Sequence, residues 1–190
     1  MGDRQGSHFI RSPGRWITVS GDHIHPAGGR GKEERKMADT KKKKLFEKFG
    51  EFGSAEELNK AAEGLREEGD TQSLRLLAEE NGIDLEDAAD FMAGDLEQLA
   101  SEYTAAEGRL KVEEEHSKIP KPAALIIYGF AKTMLDDPEF CIALMKKGAR
   151  VDKVWDEIKR RAMEHREGNA GVACGTDRDL KAAIMEAVTG

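Results

Sequence analysis

Four carboxylates within seven residues, Asp84, Glu86, Asp87 and Asp90, form a dense group of hard oxygen donors, and calcium is the chemistry such a group could serve. The spacing argues against it. A calcium loop alternates its ligands around a central glycine and closes on a glutamate, whereas Gly82 here precedes the acids. Asp84 as a helix cap, with Glu86 and Asp87 in a first turn that favours negative charge, accounts for the same residues. His23 and His25 beside Asp22 have no positioned third ligand, and no metal or other cofactor is expected. The stretch Gly168–Gly175 is rich enough in glycine to let backbone amides approach an anion, but it lacks a Gly-Lys-Ser/Thr ending and Rossmann spacing, so it reads as a linker. His116 lies beside Glu113, Glu114 and Glu115, and His165 between Glu164 and Glu167, on charged helix surfaces where water screens any tuning of a proton donor. With no nucleophile elbow and no His-Glu-x-x-His, the chain is not expected to be an enzyme. Cys141 and Cys174 are far apart, without metal or redox spacing, and read as reduced thiols of a cytosolic protein.

Charge is distributed unevenly over the 190 residues. Residues 1–50 carry 12 basic and 6 acidic side chains, residues 51–118 carry 6 and 20, and residues 119–190 carry 12 and 11. The middle block, near −14, would repel nucleic acid and attract a basic partner.

The elements that must position these charges read as helices. Residues 1–36 mix Gly, Arg, Pro and His with no period of 2 or 3.6, and are expected to form an unordered leader or upstream extension; Met37 would then be the natural start. Residues 37–167 form the expected helical domain, residues 168–175 the linker and residues 176–190 a terminal helix. Phe46, Phe49 and Phe52, after the Lys41–Lys44 run, are spaced to anchor a short helix. Ser54 and Glu57 fit a capping box for a helix lined by Leu58, Ala61, Ala62 and Leu65. Asp70 caps a second, with Leu74, Leu77 and Ala78 inward, and Asp84 a third. Asp95 is placed to cap a longer helix to about Ser117, with a stripe through Leu99, Tyr103, Ala106 and Leu110, Glu113 facing away and a bend at Gly108. Asp137-Pro138 opens another, running to Gly148, and Val151, Val154, Trp155, Ile158 and Ala162 line a further one.

Residues 122–135, the long apolar run, carry apolar side chains on every face and read as a helix surrounded by the others, too short to span a bilayer. The expected fold is therefore all-α: a compact domain of about seven to nine short helices around that one, with no sheet and no membrane span.

The segments Leu45-Phe46-Glu47, Phe49-Gly50-Glu51-Phe52, Ser54-Ala55-Glu56-Glu57-Leu58-Asn59, Glu80-Asn81-Gly82-Ile83-Asp84 and Glu86-Asp87-Ala88-x-Asp90-Phe91 resemble a family of small acidic proteins on mobile elements of gut Clostridia. These are similar to conjugative-element proteins of the PcfK type and to anti-CRISPR inhibitors of the type II effector nuclease. The resemblance covers residues 40–94 best, with an echo at Met145-Lys146-Lys147-Gly148, and transfers no site residue. It implies a protein that binds the nuclease with its guide RNA and blocks target DNA binding or cleavage. On that reading an acidic surface, with Glu79, Glu80, Glu86, Asp87, Asp90 and Glu97, engages the nuclease's lysine- and arginine-rich channels. The alternative is an accessory or regulatory protein of a conjugative or phage element whose basic face, Lys153, Lys159, Arg160, Arg161 and Arg166, touches DNA. Self-association into a homo-oligomer is compatible with either.

Overall fold

The computed structural model describes residues 45–164 and 175–190 in full, and the backbone of residues 16–20, 166–167 and 170–174. The Lys41–Lys44 run, the three residues Asp22, His23 and His25, Met37 and His165 lie outside the described residues.

Eight helices build one core among the described residues: α1 (Ala55–Glu67), α2 (Thr71–Glu80), α3 (Leu85–Ala93), α4 (Glu102–His116), α5 (Lys121–Lys132), α6 (Pro138–Met145), α7 (Lys153–Glu164) and α8 (Asp177–Thr189). Their starts follow the cap residues. Ser54 Oγ accepts the Glu57 amide at 3.0 Å, Asp70 the Ser73 amide at 2.9 Å, and Asp137 the Glu139 amide at 3.0 Å. The Glu57 carboxylate, expected to return to the amide of Ser54, instead accepts that of Gly53 at 2.6 Å, one residue further out. Thr176 and Asp179 close a full capping box on α8, which sends Ile184 and Val188 into the shared core.

Several expectations are corrected. Residues 45–49 form a turn, with Phe46 at φ 55°, and not a helix. Asp95 does not cap the long helix; α4 starts six residues later, where Ser101 Oγ accepts the Thr104 amide at 3.1 Å. The cause is Asn59 on α1, whose side chain takes both backbone groups of Ala100, receiving its N–H at 2.9 Å and donating to its carbonyl at 2.7 Å. Those groups are then unavailable to a helix through residues 95–100. Glu113, expected to face away, is buried, whereas Tyr103 from the expected inward stripe is 46% exposed. Helix α6 ends at Met145, three residues before Gly148.

The surrounded helix is α4 and not the apolar run. Helix α5 buries Ala123, Ala124, Ile127, Tyr128 and Ala131 as one broad stripe and leaves Leu125 68% exposed. Helix α4 buries Ala105, Ala106, Gly108, Arg109, Leu110, Val112 and Glu113, most of its circumference, and packs against α1, α5 and α6. Composition hid this, because two of those residues are charged and one is glycine.

Gly108 is there for close approach, not for a bend. A Cβ at Gly108 would lie 2.2 Å from the Asn81 carbonyl oxygen, and one at Gly82 would lie 2.4 Å from the Gly108 oxygen, so α4 meets the α2–α3 turn backbone to backbone. Gly82 also has φ +67°, where other residues are strained.

The eight helices bear out the all-α expectation, and three short backbone strands are described besides them. β1 (Trp16–Ser20), β2 (Arg166–Glu167) and β3 (Ala170–Cys174) pair antiparallel in the order β1-β3-β2, with Trp16 opposite Cys174 and Ser20 opposite Ala170. The stretch expected as a glycine-rich linker thus supplies β3, and the expected unordered leader supplies β1. Trp-Ile-Thr-Val has the aromatic and β-branched composition of a strand, and its five residues are too short for a periodicity reading to isolate.

Gly108→Ala should lower stability by about 2 kcal/mol or more in urea unfolding, although alanine is the better helix former, because the backbones must part. Gly129→Ala, in α5 with nothing within 4 Å of a new Cβ, should instead raise it by up to about 1 kcal/mol. Equal effects at the two sites would refute the close contact.

Candidate functional site

Two polar features stand out, one inside the core and one on its surface. Inside, Arg109 is 3% exposed, yet its guanidinium is held by partners from two segments. Its Nη1 donates to the carbonyls of Phe52 at 3.0 Å and Met145 at 3.3 Å, its Nη2 donates to that of Lys146 at 3.4 Å, and the Glu51 carboxylate pairs with it. Glu51 also receives Arg150 at 2.7 and 3.2 Å and the Gly148 amide at 3.0 Å. The Phe46 ring lies 5.3 Å from the Arg109 guanidinium and 5.8 Å from that of Arg150. Burial lowers the Arg109 pKa to about 10, with the charge of Arg150 adding to the effect.

One turn along α4, Glu113 accepts the Asp152 amide at 2.9 Å through Oε1, while its Oε2 is buried without a hydrogen bond. Burial, and secondarily the charge of Asp152, pushes its carboxyl above the ordinary carboxylate value. The Tyr128 phenol, raised by its own burial and by the charge of Glu113, packs beside it from α5. These groups lie inside the core and line neither of the two hollows described next, so their role is to tie segments together.

On the surface, two hollows run along α1. The larger, of about 750 Å³, lies between the start of α1, residues 98–103 and residues 135–141, and is rimmed by Glu56, Glu102 and Asp136 over a floor with Leu135, Pro138 and Cys141. The smaller, of about 310 Å³, carries Glu63 and Glu97 and the one lining cation, Lys60. They share Glu56, Asn59 and Gln98, so they form one groove. The Asn59–Ala100 clamp fixes the wall between α1 and the segment leading into α4. None of the five carboxylates forms an ion pair among the described residues.

Of the six acids expected to engage a partner, Glu97 alone lines this groove. Glu80 holds the amides of Lys48 at 2.9 Å and Phe49 at 3.1 Å, fixing the turn before α1. Glu79, Glu86 and Asp90 are exposed and Asp87 is half-buried, on α2 and α3. Glu56, Glu63, Glu102 and Asp136 were not singled out from sequence. They come from three separate segments, and only their exposed positions in the first turns or outer faces of α1 and α4 hinted at them.

The expected nucleic-acid face is largely neutralised by its own helix. Lys159 pairs with Asp156 at 2.6 Å, Arg161 with Glu157 at 2.7 Å, and Arg160 with Glu157 at 2.7 Å and with Glu164. Arg160 and then Arg161 hold the Glu157 carboxyl down to about 2. Lys153 donates to the Gly148 carbonyl at 3.0 Å. Arg166 lies in β2, where only the backbone is described.

The candidate chemical groups have local partners. His116 Nδ1 donates to the Val112 carbonyl at 2.8 Å, and the buried Cys141 thiol donates to that of Leu135 at 3.2 Å, with burial raising its pKa. Among the described residues no three His, Cys, Asp or Glu side chains are placed to hold a metal, and no helix is long and apolar enough to cross a membrane. Comparison with protein-family models, curated proteins and solved structures finds no match for the chain.

Glu113 gives the core a pH dependence with a defined sign. Its folded pKa is raised, so its contribution to stability is fully present below the unfolded value and is lost as pH rises through the folded one. Glu113→Gln, which stays neutral, should gain melting temperature over the parent as pH rises from 4.5 to 7.5. A difference that widens on acidification instead would show that the buried carboxylate is stabilising.

Proposed function

We propose that the chain is a binding protein that inhibits the RNA-guided DNA nuclease of type II CRISPR systems by presenting unpaired carboxylates to a basic surface of it. The observation that carries this reading is the groove in which Glu56, Glu63, Glu97, Glu102 and Asp136 gather around one lining cation. Unpaired charges collected on a concave wall attract a partner of opposite sign and repel phosphate. The choice of nuclease rests on the resemblance within residues 45–91; such enzymes hold their guide–target heteroduplex in a positively charged channel that an acidic protein can contest. Contact with DNA through α7 is less well supported, because its cations are engaged by Asp156, Glu157 and Glu164.

The test is a cleavage assay with purified nuclease and guide, the protein being added before or after target DNA. Reversing Glu56, Glu97 and Glu102 to Lys should raise the concentration needed for inhibition by about tenfold or more, three exposed pairs being worth a few tenths to 1 kcal/mol each. Inhibition by the parent should also weaken toward 0.15 M salt, where the screening length is about 8 Å. Changing Lys159, Arg160 and Arg161 to Ala should leave inhibition intact. The opposite pattern, with the α7 variant failing and the groove variant inhibiting as the parent does, would overturn the proposal.

A further inference from the structure

Carboxylates in water attract any cation, so selectivity must come from what surrounds them. In the larger hollow the acidic rim stands beside the exposed Tyr103 and above an apolar floor. We infer that the groove is the docking site for an extended, arginine-bearing segment of a protein partner; that the nuclease supplies this segment rests on the reading of function above.

Three features select this occupant. A guanidinium has a planar face that stacks on an aromatic ring and a fork of N–H donors that matches carboxylate oxygens, and the hollow offers Tyr103 for the first and Glu56, Glu102 and Asp136 for the second. The methylene stem of arginine covers apolar surface, which Leu135 and Pro138 provide. The second cluster, Glu63 and Glu97, lies along α1 from Glu56, and Glu56 to Glu63 spans roughly 10 Å at the helical rise. An extended chain covers that in about three residues and sends alternate side chains to the same face, so arginines at every second position meet both clusters. A nucleic acid is disfavoured by repulsion. A second copy is disfavoured because the arginines of α7 already have carboxylate partners.

The probe is a fluorescent peptide, Gly-Arg-Gly-Arg-Gly-Arg-Gly, titrated against the full chain beside its lysine counterpart. The arginine peptide should bind more tightly. Neutralising Glu56, Glu102 and Asp136 to Gln, Gln and Asn should weaken it about tenfold. Reversing nothing in the groove but neutralising the exposed Glu79, Glu86 and Glu115 to Gln should change it less than twofold, at the same net charge. The caps Ser54, Ser101 and Asp137 are untouched in these variants, and circular dichroism confirms folding. Tyr103→Ala, an exposed position, should cost about threefold and erase the preference for arginine over lysine. Equal losses from the two charge triples, or a preference unchanged in Tyr103→Ala, would overturn the inference. The nuclease assay is read separately: peptide docking in the groove with undiminished inhibition by the groove triple sustains this site and removes the nuclease as its partner.

Discussion

A guanidinium in the middle of the most enclosed helix is the constraint on which the rest of the structure depends. Burying Arg109 is costly unless its donors find oxygens, and the chain supplies Glu51 and the carbonyls of Phe52, Met145 and Lys146 to its two Nη groups, leaving Nε buried without a hydrogen bond. Those partners come from the segment before α1 and the end of α6, so meeting the demand fastens both to α4. Removing one partner of such a pair typically costs about 3–5 kcal/mol, because the charge left behind stays buried. Arg150 and the Gly148 amide complete the Glu51 carboxylate, and Glu113 secures the start of the α7 region through the Asp152 amide. On a neighbouring face, about 100° round the helix from Arg109, α4 has no side chain at Gly108 and lies directly on the Asn81–Gly82 turn. Polar ties on one face and backbone contact on the next fix α4 in place.

The groove follows from that placement. Its walls are α1, held by Ser54 and by the Asn59–Ala100 clamp, the first turn of α4, and the bend between α5 and α6 where Cys141 bonds back to Leu135. Each of the helices that meet there begins with acids, which the helix dipole tolerates, so converging starts gather negative charge with Lys60 as the one lining cation. On α7 the arrangement is the reverse: acids and bases sit three and four residues apart on one helix and satisfy each other. The chain therefore gathers five unpaired carboxylates on one concave surface, while others such as Glu79, Glu86 and Asp90 stay exposed elsewhere.

Helix number, most boundaries and the caps were legible because Ser54, Asp70, Asp84 and Asp137 act locally, and because the apolar faces of α1, α2, α7 and α8 repeat at helical spacing. Long-range effects were not legible. Asn59 displaces the start of α4 from across 41 residues, and Arg109 reads as a surface residue until partners 36 to 57 residues away are seen. The apolar run reads as the surrounded helix because composition registers hydrophobicity and is blind to buried charge. Phe91 is fully buried under the Arg66 guanidinium at 4.3 Å, a partner on another helix that no local pattern shows. Of the groove, sequence showed the acidic block and could not show which acids converge, since Glu56, Glu97, Glu102 and Asp136 meet only through the packing of α1, α4 and α6.

The central claim is that this convergence is the working surface, and amide hydrogen exchange of the protein alone and bound to the purified nuclease–guide complex tests it most directly. The account predicts slowed exchange in residues 55–63, 96–103 and 135–141, with α7 unchanged. Protection confined to residues 153–164, or none along the groove while the complex is intact, would contradict it.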